Sequence, residues 1–187
     1  MIREAAGLDG EATCADPDRF ADLYDRYAAQ LYRYAYQRVG AATAEDVVAD
    51  TFLAAFAQRD AFDPARGDAR PWLFGILTRK LARHFRAEKT HYQALLRAAG
   101  EPAVDGPAER VAARVSAGAV RRPLVAALGR LSAGDRDVLL LVAWCDFSYE
   151  EVAAALDIPV GTVRSRLNRA RRKVRAALGG TDPSGEA

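Results

Sequence analysis

Residues 148–178 read SYEEVAAALDIPVGTVRSRLNRARRKVRAAL, and this stretch decides the fold of the C-terminal part of the chain. It opens with a serine followed three residues later by a glutamate, a capping box that predicts a short helix over residues 149–156. The segment IPVG at 158–161 predicts a turn, because proline and glycine interrupt regular structure. A second helix is predicted over residues 162–178. Two helices joined by a short turn are typical of the helix-turn-helix that enters the DNA major groove.

On a helical wheel, the second helix of this pair has one apolar face and one basic face. Near its N-terminus the polar face carries Arg164, Ser165 and Asn168, and arginine suits guanine while asparagine suits adenine. Residues 162–175 contain seven Arg or Lys and no acid. Since a solvated helix face normally mixes both signs of charge, the pattern favours contact with DNA over an ordinary exposed surface. The apolar face comprises Val163, Leu167, Ala170, Val174 and Leu178, and the polar face continues through Arg171, Arg172 and Arg175.

Composition excludes several other classes of protein. The 187 residues include 27 Lys or Arg and 25 Asp or Glu, so the total charge says little about partners. Cys14 and Cys145 are too few for a disulfide framework, which suits a reducing cytoplasm. No apolar leader opens the chain, and no apolar run reaches the roughly 18 residues of a membrane span. The two histidines lack neighbours at ligand spacing, and no glycine-rich phosphate loop occurs. We therefore expect a cytoplasmic protein with no metal, no cofactor and no catalytic residue.

The rest of the chain also has helical periodicity, and no strand pattern competes with it. An apolar stripe predicts a first helix over residues 20–38, which Gly40 ends. A capping pattern at 43–46 predicts the start of a second helix, whose buried face includes Phe56. Pro71 predicts the first turn of a third helix that runs to about residue 86.

In the C-terminal half, Ser132 and Asp135 predict the start of a helix over residues 134–144. The stretch 100–118, rich in Ala, Gly, Pro and Glu, is interpreted as a linker. The sequence thus predicts an all-α fold of two small helical domains joined by a flexible linker, the C-terminal one a helix-turn-helix. The expected limits are a flexible N-terminal tail at 1–18, a first domain at 19–98, the linker at 99–121, a second domain at 122–180 and a tail at 181–187.

Several of these segments resemble a known family. The region 146–175, and above all PVGTVRSRL at 159–167, resembles the second conserved domain of the extracytoplasmic-function (ECF) sigma factors of bacterial RNA polymerase, in the sigma-seventy superfamily. The resemblance covers about residues 19–179. In the N-terminal half, the second helix of that family is matched by AEDVV at 44–48 and DTFL at 50–53, and its promoter-melting segment by FDP at 62–64, RG at 66–67 and WL at 72–73.

The resemblance implies a non-catalytic initiation subunit that binds the clamp and flap of core RNA polymerase, recognises the −35 and −10 promoter elements and helps to open the DNA. The second helix would dock on the polymerase through Asp46, Ala49, Asp50, Thr51 and Phe52. The last helix would read the −35 element through Thr162, Arg164, Ser165, Arg166, Asn168, Arg169 and Arg172. The −10 element would be bound by Arg66, Asp68, Arg70, Trp72, Arg79, Lys80, Arg83 and Arg86.

The residues agree with a melting role, because an opened duplex needs basic and aromatic side chains to hold the unpaired strand. The chain departs from the family pattern at Ala49, where Gln is frequent, and at Arg79 and Arg83, where Asn and Asp are common. These changes leave the −10 preference open. The resemblance also implies an anti-sigma partner that covers both domains, and membrane contact only through such a partner.

The residues alone leave other classes open. An ordinary helix-turn-helix regulator would explain residues 148–178 but not residues 20–86. A catalytic helical protein would need an active-site constellation, which the sequence does not offer. We expect Trp72 to be a core anchor rather than a base-stacking residue, because apolar residues follow it at core-like spacing. Cys145 is expected to be buried or half-buried.

Overall fold

A computed structural model describes residues 17–62, 68–98 and 121–178 of the chain. These residues form helices with short connections and no strand, which confirms the predicted all-α class. The expected linker and most of the two expected tails lie outside the described residues. The elements are α1 (Pro17–Val39), α2 (Ala41–Ala57), a 3-10 turn (Arg59–Ala61), α3 (Ala69–Ala98), α4 (Arg121–Gly129), α5 (Ala133–Trp144), α6 (Tyr149–Leu156) and α7 (Val160–Ala177).

The chain divides into two compact units. The N-terminal unit comprises Met1–Leu81 with Ala154–Asp157, and the C-terminal unit comprises Ala82–Ala153 with Ile158–Ala187. The domain limits expected from the sequence stay predictions.

The core of the N-terminal unit forms where the apolar stripes of α1, α2 and α3 meet. The ring of Phe20 meets that of Phe52 edge-on at 6.3 Å, which joins α1 to α2. The ring of Tyr34 meets that of Phe74 at 5.5 Å, which joins α1 to α3. The stripe predicted over residues 20–38 is therefore confirmed. Its members Phe20, Leu23, Tyr27, Leu31 and Tyr34 are all buried.

A single residue, Gly40, forms the corner between α1 and α2. Its φ of 82° lies in the left-handed region that glycine adopts without strain. Its N–H donates to the carbonyl of Tyr36 at 2.9 Å, and its own carbonyl accepts from the N–H of Ala44 at 3.0 Å. Gly40 thus ends α1 as predicted. The predicted start of α2 at Thr43 is wrong, because the chain enters the helix at Ala41 directly after this corner, with no side-chain cap.

Helix α3 is longer than the sequence suggested. It continues to Ala98 instead of ending near residue 86. No proline or glycine occurs between residue 76 and residue 99, so nothing in this stretch interrupts the helix. The hydroxyl of Thr90 donates to the carbonyl of Arg86 at 3.0 Å, a bond to the preceding turn that a helical threonine commonly makes.

The C-terminal unit follows its predicted capping signals closely. Ser132 caps α5 by accepting from the N–H of Asp135 at 3.2 Å. At the start of α6, the N–H of Ser148 donates to Glu151 Oε2 at 2.7 Å, and the N–H of Glu151 donates to Ser148 Oγ at 3.1 Å. This reciprocal pair is the predicted capping box, and α6 spans the predicted residues. Buried side chains of α5, α6 and α7 include Val138, Leu141, Val152, Val163 and Leu167.

Helix α7 begins two residues earlier than predicted and ends one residue earlier. Pro159 precedes it, and the carbonyl of Pro159 accepts from the N–H groups of Thr162 at 2.8 Å and Val163 at 3.2 Å. Proline suits this place, because it lies before the helix, where its missing N–H removes no helical hydrogen bond, and its φ of −60° is the value that the ring fixes. The assignment of Leu178 to the apolar face is wrong. This residue follows the last turn of α7 and is 46% exposed.

Candidate nucleic-acid interface

The basic face of α7 is open to solvent. Buried Val163, Leu167 and Ala170 hold the opposite face against the unit. The Oγ of Ser165 donates to the carbonyl of Thr162 at 3.0 Å, which leaves the Ser165 oxygen able to accept from a partner. No acidic residue occurs on α7. Its exposed side chains include Arg164, Ser165, Asn168, Arg171, Arg172 and Arg175.

Two of the predicted −35 residues are engaged inside the C-terminal unit. Arg169 Nη1 donates to Oδ1 of buried Asp135 at 3.2 Å, across 34 residues of sequence. The guanidinium of Arg166 covers Gly134, where a Cβ would come within 2.6 Å of Nη1. Both arginines therefore pack against α5, a relationship that a helical wheel of α7 alone does not reveal.

The turn between α6 and α7 places the basic face. Asp157 has a φ of 52°, a left-handed conformation that aspartate tolerates better than most residues. The N–H of Ile158 bonds the carbonyl of Ala153 at 3.1 Å and closes the end of α6. Pro159 then starts α7. Helices α6 and α7 with this turn form the predicted helix-turn-helix.

In the N-terminal unit, a network of hydrogen bonds fixes the start of α3. Asp68 Oδ1 accepts from the hydroxyl of Tyr27 at 2.7 Å and from the N–H of Arg70 at 3.1 Å. Arg70 Nε donates to Gln30 Oε1 at 3.1 Å. Two predicted −10 residues, Asp68 and Arg70, thus tie α3 to α1. A third, Arg66, lies outside the described residues.

The Tyr27 phenol responds to this environment. Its pKa is raised from 10.0 to about 12, chiefly by burial and further by the hydrogen bond to Asp68 and the negative charge of that carboxylate. Both effects disfavour the phenolate, because it is poorly solvated and repelled by Asp68. Tyr27 is therefore a neutral donor at physiological pH.

The remaining predicted −10 residues lie along α3. Trp72 is half-buried, and its ring packs on that of Phe62 with centroids 5.0 Å apart. This supports the expected anchoring role of Trp72. Lys80 Nζ lies 3.5 Å from Asp50 Oδ2 and joins α3 to α2. The exposed basic side chains follow one line of the helix at spacings of four and three, Arg79, Arg83 and Arg86.

Helix α2 presents only part of the predicted polymerase-binding set. The side chains of Asp46, Ala49 and Asp50 are exposed. Thr51 is instead fully buried, with Oγ donating to the carbonyl of Val47 at 2.7 Å, and Phe52 is buried as well. The expectation that these two side chains reach a partner is corrected, because they face the core.

An exposed leucine on α2 was missed by the sequence reasoning. Leu53 is 68% exposed and follows Asp46 and Asp50 at helical spacing on the same outer face. The sequence does carry a signal for this exposure, because Leu53 is apolar but falls outside the buried stripe of α2. Phe56 was assigned to the buried face but is 38% exposed, with the guanidinium of Arg59 4.4 Å from its ring centroid.

In residues 17–62, 68–98 and 121–178, no three His, Cys, Asp or Glu side chains come together in a way that could hold a metal ion. Over the same ranges, no helix has the length and apolar character needed to cross a membrane. Cys145 is half-buried, as expected.

Family models match both halves of the chain. The model for Sigma-70 region 2 matches residues 23–91, and the model for Sigma-70, region 4 matches residues 121–174. The RNA polymerase sigma factor CnrH of Cupriavidus metallidurans is 34% identical over 181 residues, which cover 91% of this chain and 92% of CnrH. The ECF RNA polymerase sigma factor SigL of Mycobacterium tuberculosis is 34% identical over 169 residues, covering 89% of this chain and 93% of SigL.

Solved structures of two sigma factors are also similar. CnrH in complex with the cytosolic domain of CnrY has a TM-score of 0.62 and 29% identity, covering 88% of this chain and 90% of that one. RpoE in complex with the anti-sigma factor NepR from Bartonella quintana has a TM-score of 0.63 and 28% identity, covering 86% and 96%. An N-terminal region 2, a C-terminal region 4 and relatives matched over nearly their whole length together show that this chain belongs to the ECF family of RNA polymerase sigma factors.

Proposed function

We propose that this chain is a non-catalytic, cytoplasmic subunit that binds core RNA polymerase, recognises the −35 and −10 elements of a promoter and promotes DNA opening. The proposal rests on the presence of two different exposed surfaces in one chain, one suited to DNA and one suited to a protein partner. Helix α7 offers an exposed basic face without acids, and α2 offers an exposed face with Asp46, Asp50 and Leu53. A helix-turn-helix regulator that only binds duplex DNA does not require the second surface.

In this proposal the exposed N-terminal part of α7 enters the major groove of the −35 element. Arg164 and Asn168 are exposed and lie one helical turn apart, so both reach base edges from the same side. Arg172, one turn further on, contacts the phosphate backbone. Arg169 contributes less to DNA contact than its charge suggests, because Asp135 already engages it.

The −10 function belongs to α3. Arg79, Arg83 and Arg86 form an exposed basic line that suits the backbone of a separated strand. Asp68 and Arg70 hold the first turn of this helix against α1. We assign these two residues to positioning the helix, and the exposed arginines to DNA contact.

The polymerase contact belongs to the outer face of α2. An exposed leucine flanked by carboxylates suits a docking surface. The apolar side chain adds area that is buried on binding, and the charges fix how the two proteins align. Thr51 and Phe52 support this face from within. Lys80 pairs with Asp50 at 3.5 Å and joins the proposed polymerase surface to the proposed −10 surface.

An anti-sigma partner is also part of the proposal. The similar sigma factors CnrH and RpoE were solved in complexes with the cytosolic domain of CnrY and with the anti-sigma factor NepR, respectively. Likeness over most of each chain supports a partner of the same kind here. Affinity purification of the chain from its native host, followed by mass spectrometry, tests this. Recovery of polymerase subunits alone contradicts it.

The experiment that tests the central proposal combines binding and transcription. Purified chain is mixed with core RNA polymerase, and co-elution on gel filtration reports binding. Transcripts sequenced after overexpression identify a promoter, and the reconstituted holoenzyme is then assayed on it in vitro. We expect co-elution and transcription that depends on the added chain. A helix-turn-helix regulator binds duplex DNA without core enzyme and gains no affinity for single-stranded −10 DNA when core is present.

A further inference from the structure

A buried carboxylate lies directly behind the basic face of α7. Asp135, in the first turn of α5, is 1% exposed. Its Oδ1 accepts from Arg169 Nη1 at 3.2 Å, and its Oδ2 lies 3.8 Å from Lys173 Nζ. Among the described residues no hydrogen bond reaches Oδ2. A carboxylate shielded from water in this way is costly to leave without the cations beside it.

Both cations are half-exposed, so they lie between the buried acid and solvent. The side chains of Arg169 and Lys173 are each 47% exposed. Arg169 also lines an open concavity of about 600 Å³ together with Asn168 and Arg172, on the face assigned to DNA. From this position Arg169 can contact a DNA phosphate, and Asp135 competes with that phosphate for the Arg169 guanidinium.

We propose that Asp135 is a specificity-determining residue of this sigma factor, which restrains Arg169 and Lys173 so that they do not act as free phosphate-binding cations. This inference rests on the proposed role of α7 at the −35 element. Phosphate contacts strengthen binding to every sequence equally, whereas base contacts discriminate among sequences. By pairing with these two cations, Asp135 lowers non-specific affinity and leaves selection to Arg164, Ser165 and Asn168.

The first test uses Asp135→Asn, which keeps the size of the side chain and the backbone bond to Ser132. Holoenzymes assembled from the wild-type and variant chains select from a library of randomised duplexes, and the bound DNA is sequenced. Binding to the most enriched duplex and to a scrambled duplex is then measured at several salt concentrations. We expect the variant to bind the scrambled duplex more tightly and to select less strongly. The salt dependence should steepen by about 0.9 for each cation that gains a phosphate.

A double-mutant cycle identifies the source of the effect. Arg169→Gln in the Asp135→Asn background should return much of the excess non-specific affinity to the wild-type level. Arg169→Gln alone should change binding to the scrambled duplex little, whereas Arg172→Gln alone should weaken it. This comparison of single variants also tests the inference if Asp135→Asn does not fold. Glu150→Gln is the matched control, because it removes one exposed negative charge from α6 and touches neither cation.

The outcomes separate this inference from the proposed function. If wild-type holoenzyme selects no −35 sequence, the role of α7 is wrong. If the wild-type selects normally and Asp135→Asn weakens specific and scrambled binding equally, with unchanged salt dependence, the carboxylate is only structural and the inference is overturned. Equal effects of Glu150→Gln and Asp135→Asn also overturn it, because net charge alone then explains the change.

Discussion

The hydroxyl of Tyr27 in α1 donates a 2.7 Å hydrogen bond to Oδ1 of Asp68, the residue directly before α3. The same oxygen accepts from the N–H of Arg70, so one carboxylate both opens α3 and ties it to α1. The bond spans 41 residues of sequence. The first turn of α3 is therefore held in place by a contact that α1 makes.

We expect Tyr27→Phe to lower the free energy of unfolding by about 1.5–3 kcal/mol, because it removes one hydrogen bond to a charged acceptor. Chemical denaturation of the full chain measures this value. Tyr36→Phe is the control, since it deletes an exposed hydroxyl from the same helix. Equal effects of the two substitutions contradict the assigned role of the Tyr27 hydroxyl.

The stability of the protein should also fall in alkaline solution in a way that depends on Tyr27. Its pKa is about 12 in the folded chain against 10.0 for an ordinary tyrosine. As the pH rises from 10 to 12, the unfolded chain releases this proton while the folded chain keeps it, so unfolding is favoured. The stabilisation is complete below pH 10 and is lost as the pH passes 12. Denaturation at pH 9 and 11 should show a larger loss for wild-type than for Tyr27→Phe.

Substitutions on α7 should separate base readout from phosphate contact. Arg164→Ala or Asn168→Ala should reduce discrimination at the contacted base pair by about 1–3 kcal/mol. Arg172→Ala should weaken binding to all sequences and reduce the salt dependence by about 0.9. Holoenzyme binding to a cognate −35 duplex and to single-base variants distinguishes these effects. A change of preferred sequence in Arg172→Ala shows that the helix lies differently in the groove.

The outer face of α2 should dominate binding to core polymerase. We expect Leu53→Ser to weaken this binding about tenfold, equivalent to about 1.4 kcal/mol, because an exposed apolar side chain loses its burial at the interface. Leu53 is 68% exposed, so thermal unfolding should be unchanged. Glu45→Gln alters an exposed residue of the same helix and serves as the control. Undiminished binding by Leu53→Ser places the polymerase contact elsewhere.

Local signals in the sequence predicted the helices well where a capping residue marks the boundary. The pair Ser148 and Glu151 fixes the start of α6, and Ser132 fixes that of α5. The start of α2 was predicted wrongly because Thr43 looks like a cap, whereas Gly40 is the residue that precedes the helix and the helix begins at Ala41 without a side-chain cap. The helix propensities of the residues do not show which of two nearby start signals, Gly40 or Thr43, the backbone uses.

The composition of the candidate surfaces was also predictable, but their internal contacts were not. A wheel of α7 places Arg169 at the edge of the basic face, and only the packing of α5 reveals that Asp135 engages it. The motif DTFL at 50–53 suggested Thr51 and Phe52 as polymerase contacts. Successive residues of a helix point in different directions, so a continuous motif contains both buried and exposed side chains. Leu53 belongs to the same motif, but the motif alone does not show that Leu53 is the exposed residue.

Gly40 is the only residue between α1 and α2, and this sets how the N-terminal half can change in length. A corner of one residue has no slack, so an inserted amino acid must be absorbed by the helices on either side. Extending α2 by one residue rotates the rest of that helix by about 100° relative to α1. The face with Asp46 and Leu53 would then turn partly away from solvent, and the buried stripe would turn partly away from the core. Insertions at this corner are thus incompatible with the fold, whereas substitutions on the outer face of α2 leave the backbone register intact.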